Sequence, residues 1–144
     1  LEFAMVHDLA ELLGGDIGMP YAKANPRAYR LAKAFEIENQ KYLSKFFGKT
    51  GKHYKALGQE ILKAKSDEAL LAKIADYVEV VHYKQYVVLM TPGDVEMSKT
   101  KILRNIKKMK DKIAKAELEK FTAAWSGEMK ASKNSEFFEE SKGK

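Results

Sequence analysis

Between Ser66 and Leu89 the chain carries two stripes at helical spacing, and this constrains its fold more than any other feature. Leu71, Ile74, Val78, Val81, Gln85 and Val88 make the first stripe; Ala69, Ala72, Asp76, Val80, Tyr83 and Val87 make the second. A helix that is apolar on two sides needs partners on both, which predicts a central place in a helical bundle. Its start is encoded locally. Ser66 offers a capping hydroxyl, and Asp67 and Glu68 put negative charge at the positive end of the helix dipole. The β-branched run Val78, Val80, Val81, Val87 and Val88 would also suit a strand, but the cap and the length favour helix.

The remaining segments read as helices too, so the expected fold class is all-α. Leu1 to about Leu13 is predicted as one helix closed by Gly14-Gly15, with a loop over Asp16-Ile17-Gly18-Met19-Pro20. Asn25-Pro26 reads as an N-cap with proline at the first helical position, opening a helix to about Phe47 with Leu31, Phe35, Tyr42 and Phe46 on one side. Gly48-Lys49-Thr50-Gly51 breaks it, and a shorter helix from about Lys52 to Lys65 carries Tyr54, Leu57 and Ile61. Thr91-Pro92-Gly93-Asp94 reads as a turn before a last helix running to about Trp125. The expected organisation is one domain over residues 1–125 and a flexible polar tail over 126–144, where Ser, Gly, Lys and Glu surround Phe137-Phe138.

Composition excludes several classes. At 45% hydrophobic and 32% charged, the chain of 144 residues is too apolar for a disordered polycation. No apolar run approaches the ~20 residues of a bilayer span, so no membrane partner is expected. The absence of Cys removes disulfides, thiolate metal sites and cysteine nucleophiles, and it fits a reducing compartment; cytoplasmic localisation is the expectation. The net charge of +6 is local: Lys99 to Lys120 holds nine basic and three acidic residues, which is the whole excess. A basic segment invites a nucleic-acid reading. Ile102, Ile106, Met109, Ile113 and Ala116, spaced by four, three, four and three, instead mark it as an amphipathic helix whose lysines form a solvated face. Nucleic acid is therefore not the expected partner, although a positive field also attracts phosphorylated small molecules.

The residues that suggest chemistry are His7, Asp8 and Glu11, then Asp16, and far downstream Asp76. On a helix, Glu11 stands four residues after His7 and three after Asp8, so the three project toward one region. Asp16 follows the two glycines just past that helix. Asp76 falls on an otherwise apolar stripe, where a buried carboxylate costs several kcal/mol, roughly, unless a cation or donor answers it. Imidazole with carboxylates suits a divalent ion of the Mn, Fe, Co, Ni and Zn group. Each residue also has an ordinary reading. Glu11 suits a surface helix, Asp16 a turn, and Asp76 a pair with Lys73 or Lys84. Both readings stand at this point.

The strings Val6-His7-Asp8-Leu9-Ala10-Glu11-Leu12-Leu13-Gly14-Gly15-Asp16-Ile17 and Ile74-Ala75-Asp76-Tyr77-Val78-Glu79 resemble the HD-domain metal-dependent phosphohydrolases. The 5′-deoxynucleotidase-like branch, with H-D-x-x-E-x-x-x-G-D and a later A-D, is the nearest in pattern. The resemblance covers roughly Leu1 to Phe121 and implies an HD-domain helical bundle. It implies one divalent metal ion with His7, Asp8 and Asp76 among its ligands, Glu11 guiding or deprotonating the attacking water, and Asp16 holding water or substrate near the phosphate. The implied activity is hydrolysis of a nucleotide phosphoester, with a deoxynucleoside 5′-monophosphate as the small-molecule substrate and homodimerisation as an option. A deoxynucleoside triphosphate phosphohydrolase, a non-catalytic HD fragment and a basic-helix nucleic-acid-binding module are the alternatives.

In that family another metal-binding His, in a motif resembling E-H-S, precedes the H-D pair, and this sequence has no such motif before His7. Because the text opens at Leu1 inside an apolar, helix-like run, the expectation is a chain lacking the first helices of its bundle. His82 does not replace that ligand by periodicity, since it lies about 240° around the helix from Asp76. His53 has no ligand-like spacing to any other candidate.

Overall fold

The computed structural model describes residues 1–87 and 89–132, except the side chains of Met19 and Pro20. Among the described residues every regular element is helical, as expected of an all-α fold. The chain divides into two compact units, Leu1–Lys63 and Ala64–Lys144.

The first unit contains α1 (Glu2–Val6), a 3₁₀ segment (Leu9–Leu13), α2 (Met19–Ala24), α3 (Pro26–Leu43), a second 3₁₀ segment (Ser44–Thr50) and α4 (Gly51–Lys63). The single N-terminal helix expected over residues 1–13 is thus interrupted at His7 and Asp8. Asp8 sits at φ −103°, ψ 0°, a conformation that ends α-helical hydrogen bonding, and its carbonyl accepts the Glu11 N–H at 2.9 Å. Gly14 and Gly15 both donate to the Glu11 carbonyl, and Gly15 takes φ +71°, where glycine carries no Cβ penalty. The loop expected to reach Pro20 ends earlier, because Gly18 already precedes α2 and proline is tolerated in a first helical turn.

Asn25 marks the boundary of α3 as predicted, but by another bond. Its side-chain Nδ2 donates backward to the Tyr21 carbonyl at 3.2 Å, closing α2 rather than capping α3. The apolar side expected on α3 is largely open: Leu31 is 63% and Phe46 70% exposed, whereas Asn39 and Gln40 are buried. Asn39 Nδ2 donates to the Ala10 carbonyl at 3.0 Å, so α3 is fastened to the first 3₁₀ segment by a polar contact. Gly51 must be small, since a Cβ there would stand 2.1 Å from the Ser44 carbonyl oxygen.

The second unit contains α5 (Asp67–Tyr86), α6 (Pro92–Lys108) and α7 (Lys112–Ala131). Ser66 caps α5 as predicted, its hydroxyl accepting from the Ala69 N–H. The turn expected at Thr91–Asp94 is the start of α6, a reciprocal cap in which Thr91 Oγ1 accepts from the Asp94 N–H and the Asp94 carboxylate from the Thr91 N–H. Leu70, Val81, Val95, Ile102 and Ile106 are fully buried. In this unit α6 lies between α5 and α7 in backbone packing, while α5 also reaches α7 through the hydrogen bond from Trp125 to His82. The burial expected on two sides of α5 is incomplete, since Leu71 and Tyr83 are exposed.

The long basic helix is two helices. Met109 turns extended, and the Asp67 carboxylate accepts the N–H groups of Lys110 and Asp111 at 2.7–3.1 Å. Asp111 then caps α7 through the N–H groups of Ile113 and Ala114. The apolar stripe therefore stops at Met109, and Ile113 is 78% exposed. The boundary expected at 125/126 falls inside α7, because Ser126 and Met129 are buried. Of the expected tail, residues 133–144, with Phe137 and Phe138, lie outside the described residues.

Candidate metal centre

The helix interruption places His7 and Asp8 at a corner. His7 Nδ1 lies 2.8 Å from the Ala4 carbonyl oxygen, and Nε2 lies 2.9 Å from Asp8 Oδ2. A carbonyl only accepts, so Nδ1 carries the hydrogen. Nε2 then faces a carboxylate oxygen, and two lone pairs at that distance need a proton or a metal ion between them. The Nδ1–H tether to a backbone carbonyl is one that metal-ligating histidines commonly have, and the direct Nε2–Asp8 contact is also that of an ordinary His–Asp ion pair. The donor set of this corner fits a divalent ion.

Glu11, three residues on, lies in the 3₁₀ segment. Its carboxyl is pushed above the usual range by partial burial first, then by the charges of Asp8, Asp16 and Glu36, with Lys33 pulling the other way. The Asp16 carboxylate accepts the Ile17 N–H at 2.7 Å, so it shapes its own turn while still acting on Glu11. Within the first unit, Asp8, Asp16, Glu36 and Lys33 make up the electrostatic neighbourhood of Glu11.

Two members of that neighbourhood escaped the sequence reading, Lys33 and Glu36 on α3. Lys33 Nζ donates to Glu36 Oε2 at 2.5 Å, and Glu36 is largely buried. Three-residue spacing on a helix was the available signal, but many surface pairs share it. Asp76 belongs to the second unit, half-buried on α5 between buried Ile74 and Val81. Lys84, one of its suggested partners, bonds Asp94 instead. Among the described residues no group of three or more His, Asp or Glu side chains stands ready as a metal cage.

The other two histidines have other partners. His53 Nε2 lies 3.1 Å from the Glu2 carboxylate, and His82 Nε2 accepts the Trp125 indole N–H at 3.1 Å.

Among protein families, the HD domain matches residues 1–119, a span that includes all five candidate residues. No curated protein and no solved structure matches the chain. Among the described residues no helix is long and apolar enough to cross a membrane. The match covers most of the chain, and the protein belongs to the HD-domain family, whose members are typically metal-dependent phosphohydrolases.

Proposed function

We propose that this protein hydrolyses nucleotide phosphoesters, acting on a (deoxy)nucleoside 5′-monophosphate to release nucleoside and phosphate. The observation that carries the reading is the His7 ring, held at Nδ1 by the Ala4 carbonyl and facing Asp8 at Nε2. His7 and Asp8 supply one imidazole nitrogen and one carboxylate to a single divalent ion of the Mn, Fe, Co, Ni and Zn group. The family motif alone names Asp76 as a further ligand candidate. Such an ion, when bound, lowers the pKa of water and offsets charge on phosphoryl oxygens.

The chain's own residues do the rest. Glu11 takes the proton of the water whose oxygen forms the new bond to phosphorus, the bond from phosphorus to the 5′ oxygen breaks, and that proton passes to the 5′ oxygen, which leaves as the nucleoside hydroxyl. Its raised pKa suits the task, since a base closer to neutrality binds that proton better. Asp16, at the neighbouring turn, orients water by accepting a hydrogen bond.

The test is phosphate release from a panel of nucleoside mono-, di- and triphosphates with each candidate metal, beside metal analysis of the same samples. Orthophosphate from monophosphates, abolished by chelation and restored by metal, is the expected result. Release of intact triphosphate would favour the triphosphohydrolase alternative. Metal binding without turnover of any nucleotide would make the chain a non-catalytic HD module.

A further inference from the structure

The corner between α6 and α7 carries lysines that stability does not explain. Lys107, Lys108, Lys110, Lys112 and Lys115 surround it in sequence, the first four exposed and the last half-buried. Lys107 and Lys108 close α6, where the helix dipole favours a cation. The dipole of α7 does the reverse. Lys112 is its first residue and Lys115 stands in the same turn, at the positive end, with no acid in that turn to offset them. Among the described residues none of the five lysines is paired with a carboxylate.

The carboxylates at the corner are turned onto the backbone. Asp67 accepts the N–H groups of Lys110 and Asp111, and Asp111 accepts those of Ile113 and Ala114. These bonds fix the course of the chain and occupy the first free donors of α7, so the charge left at the corner is that of the ammonium groups. Ile113 stands between Lys112 and Lys115. It is 78% exposed, more than any other large apolar side chain described in the second unit. It precedes the fully buried Thr122 by nine residues, half a turn out of phase, and so lies on the side of α7 opposite the core.

A partner for this surface has to supply negative charge and also receive an aliphatic side chain. The phosphates of a nucleic acid meet the first demand alone. An anionic bilayer meets both: its headgroups carry the charge, the acyl boundary beneath them accepts an aliphatic group, and lysine stems lie along the interface. We infer that the α6–α7 corner is a peripheral docking surface for anionic phospholipid bilayers, with Lys110, Lys112 and Lys115 drawing the headgroups and Ile113 entering the interface. Such attachment needs no membrane-crossing helix, and none is present among the described residues. It departs from the expectation of no membrane partner, which rested on apolar spans. The ordinary alternative is a solvated lysine face that binds no lipid.

The full chain is sedimented with vesicles of phosphatidylcholine alone or with about a third phosphatidylserine, and its helicity is followed by circular dichroism. Wild type is expected to sediment only with the serine-containing vesicles and to be released by salt. The double variant Lys110→Glu, Lys112→Glu should weaken binding about tenfold or more and Ile113→Ser about fivefold, each with wild-type helicity. Ile113→Trp should tighten it, since tryptophan favours the interface. No sedimentation of wild type, equal binding to both vesicles, or unchanged binding in the double variant overturns the assignment. Should the double variant unfold, the opposite shifts expected of Ile113→Ser and Ile113→Trp decide it. Binding unchanged by both Ile113 variants, with a DNA duplex displacing the vesicles, would give the corner to nucleic acid and overturn the bilayer assignment.

Discussion

Asp67, the first residue of α5, accepts the backbone N–H of Asp111 at 2.7 Å across 44 positions of sequence. With the Lys110 N–H on the same carboxylate, this contact pins the corner between α6 and α7. Those two N–H groups, Asp111 first, hold the Asp67 pKa below the usual carboxylate range. The Lys84 hydrogen bond does the same for Asp94, and the Lys130 hydrogen bond for Glu96. A carboxylate whose pKa falls on folding stabilises fully above its unfolded value of roughly 4, and loses that contribution as pH drops through its folded value. Acid titration followed by circular dichroism should therefore show α5–α7 losing stability below about pH 4, with a shallower dependence in Asp67→Ala. An unchanged slope in Asp67→Ala would remove the pin from the account.

The His7–Asp8 corner predicts a pattern in metal content. His7→Ala and Asp8→Ala should each lose most bound metal in elemental analysis, since each removes a ligand. Asp76→Asn should also lose metal if the family motif assigns it correctly. Full occupancy in that variant would return Asp76 to a purely structural role.

Glu11 separates binding from turnover. Glu11→Gln keeps the shape, removes the base and should cut the rate by about 10²–10⁴-fold while metal content holds. Its carboxyl pKa is raised on folding, so the ionised form is a liability above its ordinary range. The metal-free Glu11→Gln protein should consequently melt slightly higher than wild type at neutral pH, and no higher in acid.

The break between α6 and α7 can be weighed with two isoleucines. Ile106 is fully buried and Ile113 is 78% exposed. Ile106→Ala should cost about 2–5 kcal/mol by chemical denaturation, and Ile113→Ala less than about 0.5 kcal/mol. Similar costs would mean that the apolar stripe continues as one helix.

Gly51 offers a steric test in the first unit. Gly51→Ala drives a Cβ into the backbone carbonyl of Ser44, which cannot swing aside as a side-chain tip would. A loss of about 1–3 kcal/mol is expected, against little change for Gly93→Ala, whose nearest side-chain atom would be 3.7 Å away.

Where the sequence was informative, the signal was local. Ser66 capping α5, proline opening α3 and the glycines after Leu13 depend on residues within one turn of each other, and each lies where predicted. The H-D-x-x-E…G-D spacing was legible for the same reason. Lys33 and Glu36 were not, because their relation to Glu11 depends on how α3 lies against a segment about twenty residues earlier. The reading of residues 1–13 as one helix failed because periodicity reports a face and not its continuity. Asp8 adopts a backbone conformation that composition does not announce.

By itself, then, the sequence determined the all-α class, most helix starts and the order of the family motif, all carried by neighbours in the chain. Only the tertiary structure decided how the helices of the second unit pack, where the basic segment breaks and which charges surround Glu11. Those outcomes turn on contacts between residues far apart in sequence, such as Asp67 with Asp111 and Asn39 with Ala10. Their free energy is realised only once the helices have met, so no local pattern encodes them.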